Sequence, residues 1–182
     1  MLVKSLMKEL YAACTPWETA QTAATLMKTH SVGAIPVVSD IHDPLLEGIV
    51  TDRDLCITVV TEDVSSKYVR VADVMTRVPV TCLPENSAEE CLALIRNAHV
   101  HHIPVVDHRG RCVGIVSLGD ISHHASSSEI AGTLREISST SKPAAARICD
   151  EKYFYCGQLH ESDQIALLER RRHDVAFREV LL

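Results

Sequence analysis

Two hydroxyl–carboxylate pairs with the same spacing are the residues of this sequence best suited to binding chemistry. Thr51 precedes Asp54 by three residues and Ser117 precedes Asp120 by three, each time after Gly-Ile-Val. A hydroxyl that begins a helix lies beside unpaired backbone N–H groups, which can bind a phosphate. A carboxylate one turn later can accept hydrogen bonds from both ribose hydroxyls. The pairs therefore predict sites for a phosphorylated nucleoside.

The same spacing has a second interpretation. Ser/Thr-x-x-Asp is also the capping pattern for any helix start. The pattern occurs twice, in the same strand-to-helix context, which together with the rest of the repeat favours at least one ligand site over capping alone.

Both pairs lie in an internal repeat that covers about the first 125 residues. Shifting the chain by 68 residues places Ile35-Pro36-Val37-Val38 on Ile103-Pro104-Val105-Val106. After the turn at 39–47 the shift is 66, because that turn is two residues longer than the turn at 107–113. The repeat predicts two related halves that share one site or carry a matched pair of sites.

Each repeat predicts the element order β-α-β-β-α. A short helical lead-in ends near Met7 or Met75, and an extended stretch follows at Tyr11–Thr15 or Pro79–Leu83. Predicted helices span Trp17–His30 and Glu85–Ala98, and Asn86–Glu90 looks like a capped start. Two strands and a closing helix follow in each repeat: 34–39, 46–50 and a helix from Thr51, then 103–107, 112–116 and a helix from Ser117. The fold class is α/β (α+β), with mixed sheets, helices on one side and a pseudo-twofold axis between the repeats.

The expected domains are residues 1–66, 67–126 and a C-terminal extension, 127–182. Glu129–Ile137 is predicted to extend or follow the last helix, and Ser138–Pro143 resembles a linker. Asp163–Arg172 is a candidate helix, since Arg170-Arg171-Arg172 suits a helix C-terminus. The extension shows no residues arranged for chemistry.

Composition excludes several classes of protein. The chain has 182 residues, 46% hydrophobic and 4% aromatic, so the core must be aliphatic. A net charge of −6 argues against nucleic acid as the main partner. No apolar run is long enough to cross a membrane, and the N-terminus lacks a signal-like segment. Seven cysteines without a CxxC pair predict neither a disulfide framework nor a zinc ribbon, and they favour a cytoplasmic location.

The repeat resembles a tandem pair of CBS domains, named after cystathionine β-synthase and often called a Bateman module. The resemblance rests on the two Gly-Ile-Val-(Ser/Thr)-x-x-Asp stretches, the two Ile-Pro-Val-Val strands and the lead-in Val71-Ala72-Asp73-Val74-Met75-Thr76. It implies an adenine-containing ligand between the repeats, such as AMP, ADP, ATP or S-adenosylmethionine. It also implies a homodimer and a regulatory role towards an unidentified protein. In the family the carboxylate of this motif binds ribose, which implies that role for Asp120 and, in the first repeat, for Asp54.

The resemblance also predicts two unequal sites. The stronger candidate has Asp120, Ser117 and Ile115 at one side. Facing them we expect the small residues Gly33 and Ala34 and the lead-in Val3–Met7. His102 would lie near the phosphates, and His101 could line the pocket. The weaker candidate has Thr51 and Asp54 facing Val71–Met75 and the crowded His101–His102, with Arg53 near a phosphate. The alternatives are that both histidines lie at a strand edge in solvent and that Arg53 is a solvated surface residue.

Two other functions remain open from the sequence. The chain could be an architectural dimerisation module without a ligand, or a metal-binding protein that uses its ten histidines. The histidines cluster as His99, His101, His102 and as His123, His124. Strand alternation separates His99 and His101 from His102, which argues against a three-ligand site. The sequence has no nucleophile elbow, Walker loop or Gly-x-Gly-x-x-Gly, so we expect no enzyme and no cofactor.

Overall fold

The computed structural model describes residues 1–10, 12–61 and 65–139, arranged as two similar repeats. A 3₁₀ helix at Val3–Ser5 opens the first repeat. It is followed by β1 (Lys8–Glu9), α1 (Ala20–His30), β2 (Ala34–Val38), β3 (Leu46–Thr51) and α2 (Asp52–Thr61). The second repeat contains α3 (Val71–Val74), β4 (Thr76–Arg77), α4 (Ala88–Ala98), β5 (His102–Val106), β6 (Cys112–Ser117) and α5 (Leu118–Ser122). A further helix, α6, spans Ser127–Ser139. The order β-α-β-β-α is confirmed in both repeats.

Each repeat contributes the edge strand of the other repeat's sheet. The strand orders are β1-β6-β5 and β2-β3-β4. In the first of these sheets Lys8 lies opposite Ile115, and Glu9 lies opposite Gly114. In the second, β4 pairs with β3. These strands pair in antiparallel fashion, and one parallel bridge in each repeat makes the arrangement mixed.

The predicted starts of the first helix in each repeat were wrong by three residues. Pro16 and Pro84 each begin a turn, and the helices begin only at Ala20 and Ala88. Thr19 Oγ1 accepts a hydrogen bond from the N–H of Thr22 at 3.2 Å, which caps α1. Ser87 and Glu90 form a reciprocal capping box on α4, as the sequence around Asn86–Glu90 predicts. A hydroxyl cap, rather than the proline, therefore sets where each helix begins.

The predicted extended stretches were also misplaced. The paired strands are β1 and β4, next to the lead-ins, whereas the later stretches contribute single bridges through Cys14 and Cys82. Strands β3 and β6 run one residue further than predicted, to the hydroxyl residues that begin the next helices. The candidate helix Asp163–Arg172 and most of the linker-like stretch lie outside the described residues.

Two aliphatic cores hold the repeats, and each contains the lead-in of the other repeat. Val3 is fully buried in the second repeat with Ile95 and Val116. Val71 is fully buried in the first repeat with Ile35 and Val50. A third small cluster, which consists of Ala34, Ile49 and Ile115, joins β2, β3 and β6 across the boundary between the repeats. The shared cluster brings the ends of the two sheets together.

Candidate functional site

A cleft opens where the end of β6 approaches the start of β2. Its volume is about 120 Å³. The first repeat lines it with Lys8, Ser31, Val32, Gly33 and Ala34, and the second with His102, Ile115, Ser117 and Asp120. The cleft therefore draws residues from both repeats, and three of them come from the short segment that joins α1 to β2.

Local backbone geometry aims these residues at one another. Helix α1 ends at Ser31, whose φ of 54° lies in the left-handed region and turns the chain towards β2. Gly33 follows, and a side chain there would meet Asp52 Oδ2 at 3.2 Å, so the absence of a Cβ permits this close approach. Across the cleft, His102 lies opposite Ser117 in the β5–β6 register. The result is a narrow opening with small residues on one wall and polar side chains on the other.

The two carboxylate oxygens of Asp120 have different partners. Its Oδ2 accepts hydrogen bonds from the Ser117 N–H at 2.8 Å and from the Ser117 hydroxyl at 2.5 Å. The N–H of Asp120 in turn donates to Ser117 Oγ at 3.2 Å, so the pair forms a capping box at the start of α5. The other oxygen, Oδ1, lies 3.7 Å from the ammonium of Lys8. Capping therefore uses one carboxylate oxygen and leaves the second directed at Lys8.

The first repeat reproduces the cap but not its place in the cleft. Asp54 Oδ2 accepts from the Thr51 hydroxyl at 2.6 Å and from the Thr51 N–H at 3.0 Å. Neither residue, nor Arg53, is among those that line the cleft. In this repeat the capping interpretation accounts for the hydrogen bonds of the pair.

The remaining candidate residues lie around the cleft rather than in it. Val3 and Val71 have no exposed surface, so neither residue is open to a ligand in this structure. Met7 and Met75 pack beneath β6 and β3, near Gly114 and Gly48 respectively. His101 is exposed, and its carbonyl accepts a hydrogen bond from the N–H of Leu118 at 2.9 Å. Six predicted residues thus meet in the cleft: Asp120, Ser117, Ile115, His102, Gly33 and Ala34.

Sequence reasoning missed Lys8, Ser31 and Val32. Lys8 directly follows the predicted lead-in Val3–Met7, so the prediction ended one residue before the cation that lines the cleft. Ser31 and Val32 precede Gly33, and only the left-handed end of α1 turns them to the cleft. Their position depends on backbone conformation that residue types alone do not specify.

His102 is held neutral by its surroundings. Burial is the main reason that its pKa lies below the ordinary value of 6.5, and the neighbouring His101 lowers the pKa further. Asp52 and Asp120 oppose the shift, while Lys8 adds to it. At neutral pH the ring is therefore an uncharged donor and acceptor at the edge of the cleft.

We expect this neutral histidine to make stability depend on pH. Unfolded His102 binds a proton more tightly than folded His102, so the free energy of unfolding is highest above the unfolded pKa of about 6.5 and falls as the pH drops below it. Urea titrations at pH 7.5 and 5.5 measure the loss, which should be smaller in His102→Gln. The lowered pKa values of Glu90 and Glu129 act only below about 4.5 and do not confuse this window. An equal loss in both proteins would rule out His102 as the cause.

Other site types find little support in the described part of the chain. Across residues 1–10, 12–61 and 65–139, no three His, Cys, Asp or Glu side chains are grouped so that they could hold a metal ion. Within the same residues, no helix has the length and apolar character needed to span a membrane.

Comparison with known sequences identifies relatives over most of the repeat region. A family model described as CBS domain matches residues 3–60 and again residues 71–127. The CBS domain-containing protein YhcV of Bacillus subtilis is 37% identical over 131 residues, 72% of this chain and 90% of that protein. Inosine-5′-monophosphate dehydrogenase of Methanocaldococcus jannaschii is 36% identical over 106 residues, 58% of this chain and 20% of the enzyme. The match to that enzyme therefore covers only a minor part of it.

Solved structures resemble the chain over a similar range. Hypoxic Response Protein I with two coordinated zinc ions is 26% identical, with a TM-score of 0.61 over 69% of this chain and 100% of that one. CBSX2 in complex with AMP is 26% identical, with a TM-score of 0.56 over 67% and 93%. The CBS domain pair of MJ0100, in complex with 5′-methylthioadenosine and S-adenosyl-L-methionine, is 26% identical, with a TM-score of 0.57 over 68% and 98%.

Proposed function

Because the chain belongs to the CBS domain family, we propose that it is a regulatory module that binds an adenine nucleotide or adenosyl compound in the cleft between its repeats. The observation that carries this proposal is the meeting of Asp120 and Lys8 with the small residues Gly33 and Ala34. Two of the structural relatives were solved with ligands of this class, AMP in one and 5′-methylthioadenosine with S-adenosyl-L-methionine in the other.

The chemistry of the cleft suits the parts of such a ligand. Asp120 Oδ1 is free of the capping box and can accept the ribose hydroxyls. Gly33 and Ala34 leave space for a flat ring, and Ile115 supplies apolar surface beside it. Lys8 is 53% exposed, so its ammonium can turn to a phosphate or a carboxylate at the cleft mouth.

The size of the cleft indicates that binding requires a local rearrangement. Small-molecule pockets usually enclose about 300–1,000 Å³, whereas this cleft encloses about 120 Å³. The Lys8–Asp120 ion pair joins two of its lining residues. A ligand that bonds Asp120 through ribose and Lys8 through an anionic group would replace that pair and widen the opening. The change in the position of β1 relative to α5 is then the signal that a partner protein reads.

A thermal-shift series tests the proposal. AMP, ADP, ATP and S-adenosylmethionine are each added at increasing concentration to the purified full-length chain. A ligand that binds only the folded state should stabilise it by about 2.7 kcal/mol at 100 times its Kd, and so raise the melting temperature. Guanosine monophosphate serves as the matched control. The absence of any shift at millimolar concentrations would favour the architectural alternative.

The proposal extends to assembly and location. On family grounds we propose a homodimer, which light scattering on the eluting protein would measure with and without ligand. We also propose a cytoplasmic location, since the described cysteines Cys14, Cys56, Cys82, Cys91 and Cys112 are all free thiols. Metal analysis of protein purified without a histidine tag tests the remaining alternative, because one structural relative holds zinc.

A further inference from the structure

An apolar groove in the first repeat lies away from the cleft, between α1 and α2. This first-repeat groove has a volume of about 320 Å³. It is lined by Ala20, Ala24, Met27, Asp52, Leu55, Cys56, Val59, Val60 and Ser66. Val60 is 71% exposed, although it is an aliphatic residue beside other aliphatic residues. Apolar surface gathered in this way is typical of a binding face.

The internal repeat shows what covers the equivalent surface in the second repeat. There α6 packs against α4, and its residue Ile137 is only 8% exposed. Ile130, Thr133 and Ile137 stand at helical spacing along α6. Ile130 and Ile137 pack in the core with α4 and α5, and Thr133 is buried. Six of the nine positions that line the first-repeat groove have counterparts that belong to or pack on that core, namely Ala88, Leu92, Ile95, Leu118, Ile121 and Ala125. A surface of this shape is therefore one that a helix can fill.

The two surfaces differ in charge where the second helix of each repeat begins. Leu118, at the start of α5, is 6% exposed beneath the covering helix. Its counterpart at the start of α2 is Asp52, an exposed carboxylate that lines the first-repeat groove. A helix that covers this groove should hence combine aliphatic side chains with a cation that reaches Asp52.

We propose that the segment Asp163–Arg172 of this same chain binds in the first-repeat groove. Ile165 and Leu168 are spaced by three residues, as Ile130 and Thr133 are on α6, and Arg170-Arg171-Arg172 supplies the cations. Residues 140–162 separate this segment from the end of α6. At about 3.3 Å per residue they reach roughly 75 Å, which exceeds the diameter of a domain of this size, roughly 35 Å from its expected radius of gyration.

Tethering favours the chain's own segment over a foreign one. A covalent connection of 23 residues holds the segment at an effective concentration near the millimolar range. Even a weak apolar contact supported by one ion pair is then substantially occupied. The site also borders the cleft, because the N–H of Asp52 donates to the carbonyl of Gly33 at 3.0 Å.

Cys56 provides a direct measurement. It lines the groove and is exposed, whereas Cys14, Cys82, Cys91 and Cys112 are buried. Iodoacetamide labelling of the full-length chain, followed by peptide mass spectrometry, gives the rate at Cys56 alone. If docking is worth about 1.4 kcal/mol, the variant Ile165→Ser/Leu168→Ser should label Cys56 about tenfold faster. The control Leu181→Ser/Leu182→Ser, which makes the same change outside the segment, should leave the rate unaltered.

Charge exchange provides a second test. Arg170→Glu/Arg171→Glu/Arg172→Glu should also speed labelling of Cys56, and adding Asp52→Arg should restore protection. Equal labelling rates in the parent chain and in Ile165→Ser/Leu168→Ser would overturn the proposal. Protection that grows with protein concentration would overturn it as well, since it would assign the groove to another molecule of the chain. Neither readout uses the cleft, so both are independent of ligand binding.

Discussion

Asp120→Asn is expected to weaken binding of the adenine ligand by about 10- to 150-fold. The substitution keeps the size of the side chain and one oxygen for the capping box, but it removes the negative charge directed at the cleft. A hydrogen bond to a charged group contributes about 1.5–3 kcal/mol, and each 1.4 kcal/mol is a tenfold change in Kd. Isothermal titration with the ligand that raises the melting temperature measures the loss.

Asp54→Asn is the matched control for this experiment. Asp54 makes the same three hydrogen bonds with Thr51 that Asp120 makes with Ser117, within a few tenths of an ångström. The two variants should therefore lose similar stability, by weakening equivalent caps, while only Asp120→Asn loses affinity. Equal losses of affinity would show that the ligand uses both sites or neither, and would remove the assignment of the cleft to Asp120.

Gly114→Ala is expected to disturb both stability and binding. The added methyl group would press on the main-chain carbonyl of Lys8, an atom that cannot move without shifting β1. Overpacking of this kind typically costs about 1–3 kcal/mol. Because β1 places Lys8 at the cleft, a displacement of β1 should also weaken ligand binding. Urea unfolding measures the first effect, and titration calorimetry measures the second.

Gly48→Ala separates the two effects. Gly48 holds the corresponding place on β3, where a Cβ would lie 2.8 Å from the carbonyl oxygen of Thr76 on β4. It should cost a comparable amount of stability but leave Lys8 in place. If Gly48→Ala lowers the affinity for the ligand as much as Gly114→Ala does, the proposal that Lys8 contributes to binding is wrong.

The sequence predicted the elements better than their partners. Ile-Pro-Val-Val and Gly-Ile-Val are long enough for period and propensity to identify buried strands, and both repeats contain them. Strands β1 and β4 have only two residues each, too few for any period. Their pairing depends on the absence of a side chain at Gly114 and Gly48 and on the burial of Val3 and Val71 in the core of the other repeat. These contacts join residues that are far apart in the sequence. The exchange of edge strands was for this reason not foreseen.

The predicted site shows the same division. Asp120, Ser117, Gly33, Ala34 and His102 line one cleft, as the pseudo-twofold interpretation of the repeat predicted, and their role in binding stays a prediction. Lys8 was missed because it reaches the cleft only through the exchanged strand β1. In the sequence, Thr51 and Asp54 have the same pattern as Ser117 and Asp120. In the structure both pairs form the same cap, but only Ser117 and Asp120 line the cleft.

The exchange of β1 and β4 affects what a single repeat can form and how the whole chain folds. Neither repeat completes a sheet or a core with its own residues, so a single repeat made alone would need a second molecule to supply the missing strand, as in a domain-swapped pair. Joining two repeats in one chain supplies both missing strands within the same molecule. The whole chain must bring Lys8 to Ile115 across more than a hundred residues before its second sheet is complete. Such distant pairings raise the contact order, and we expect folding to be correspondingly slow.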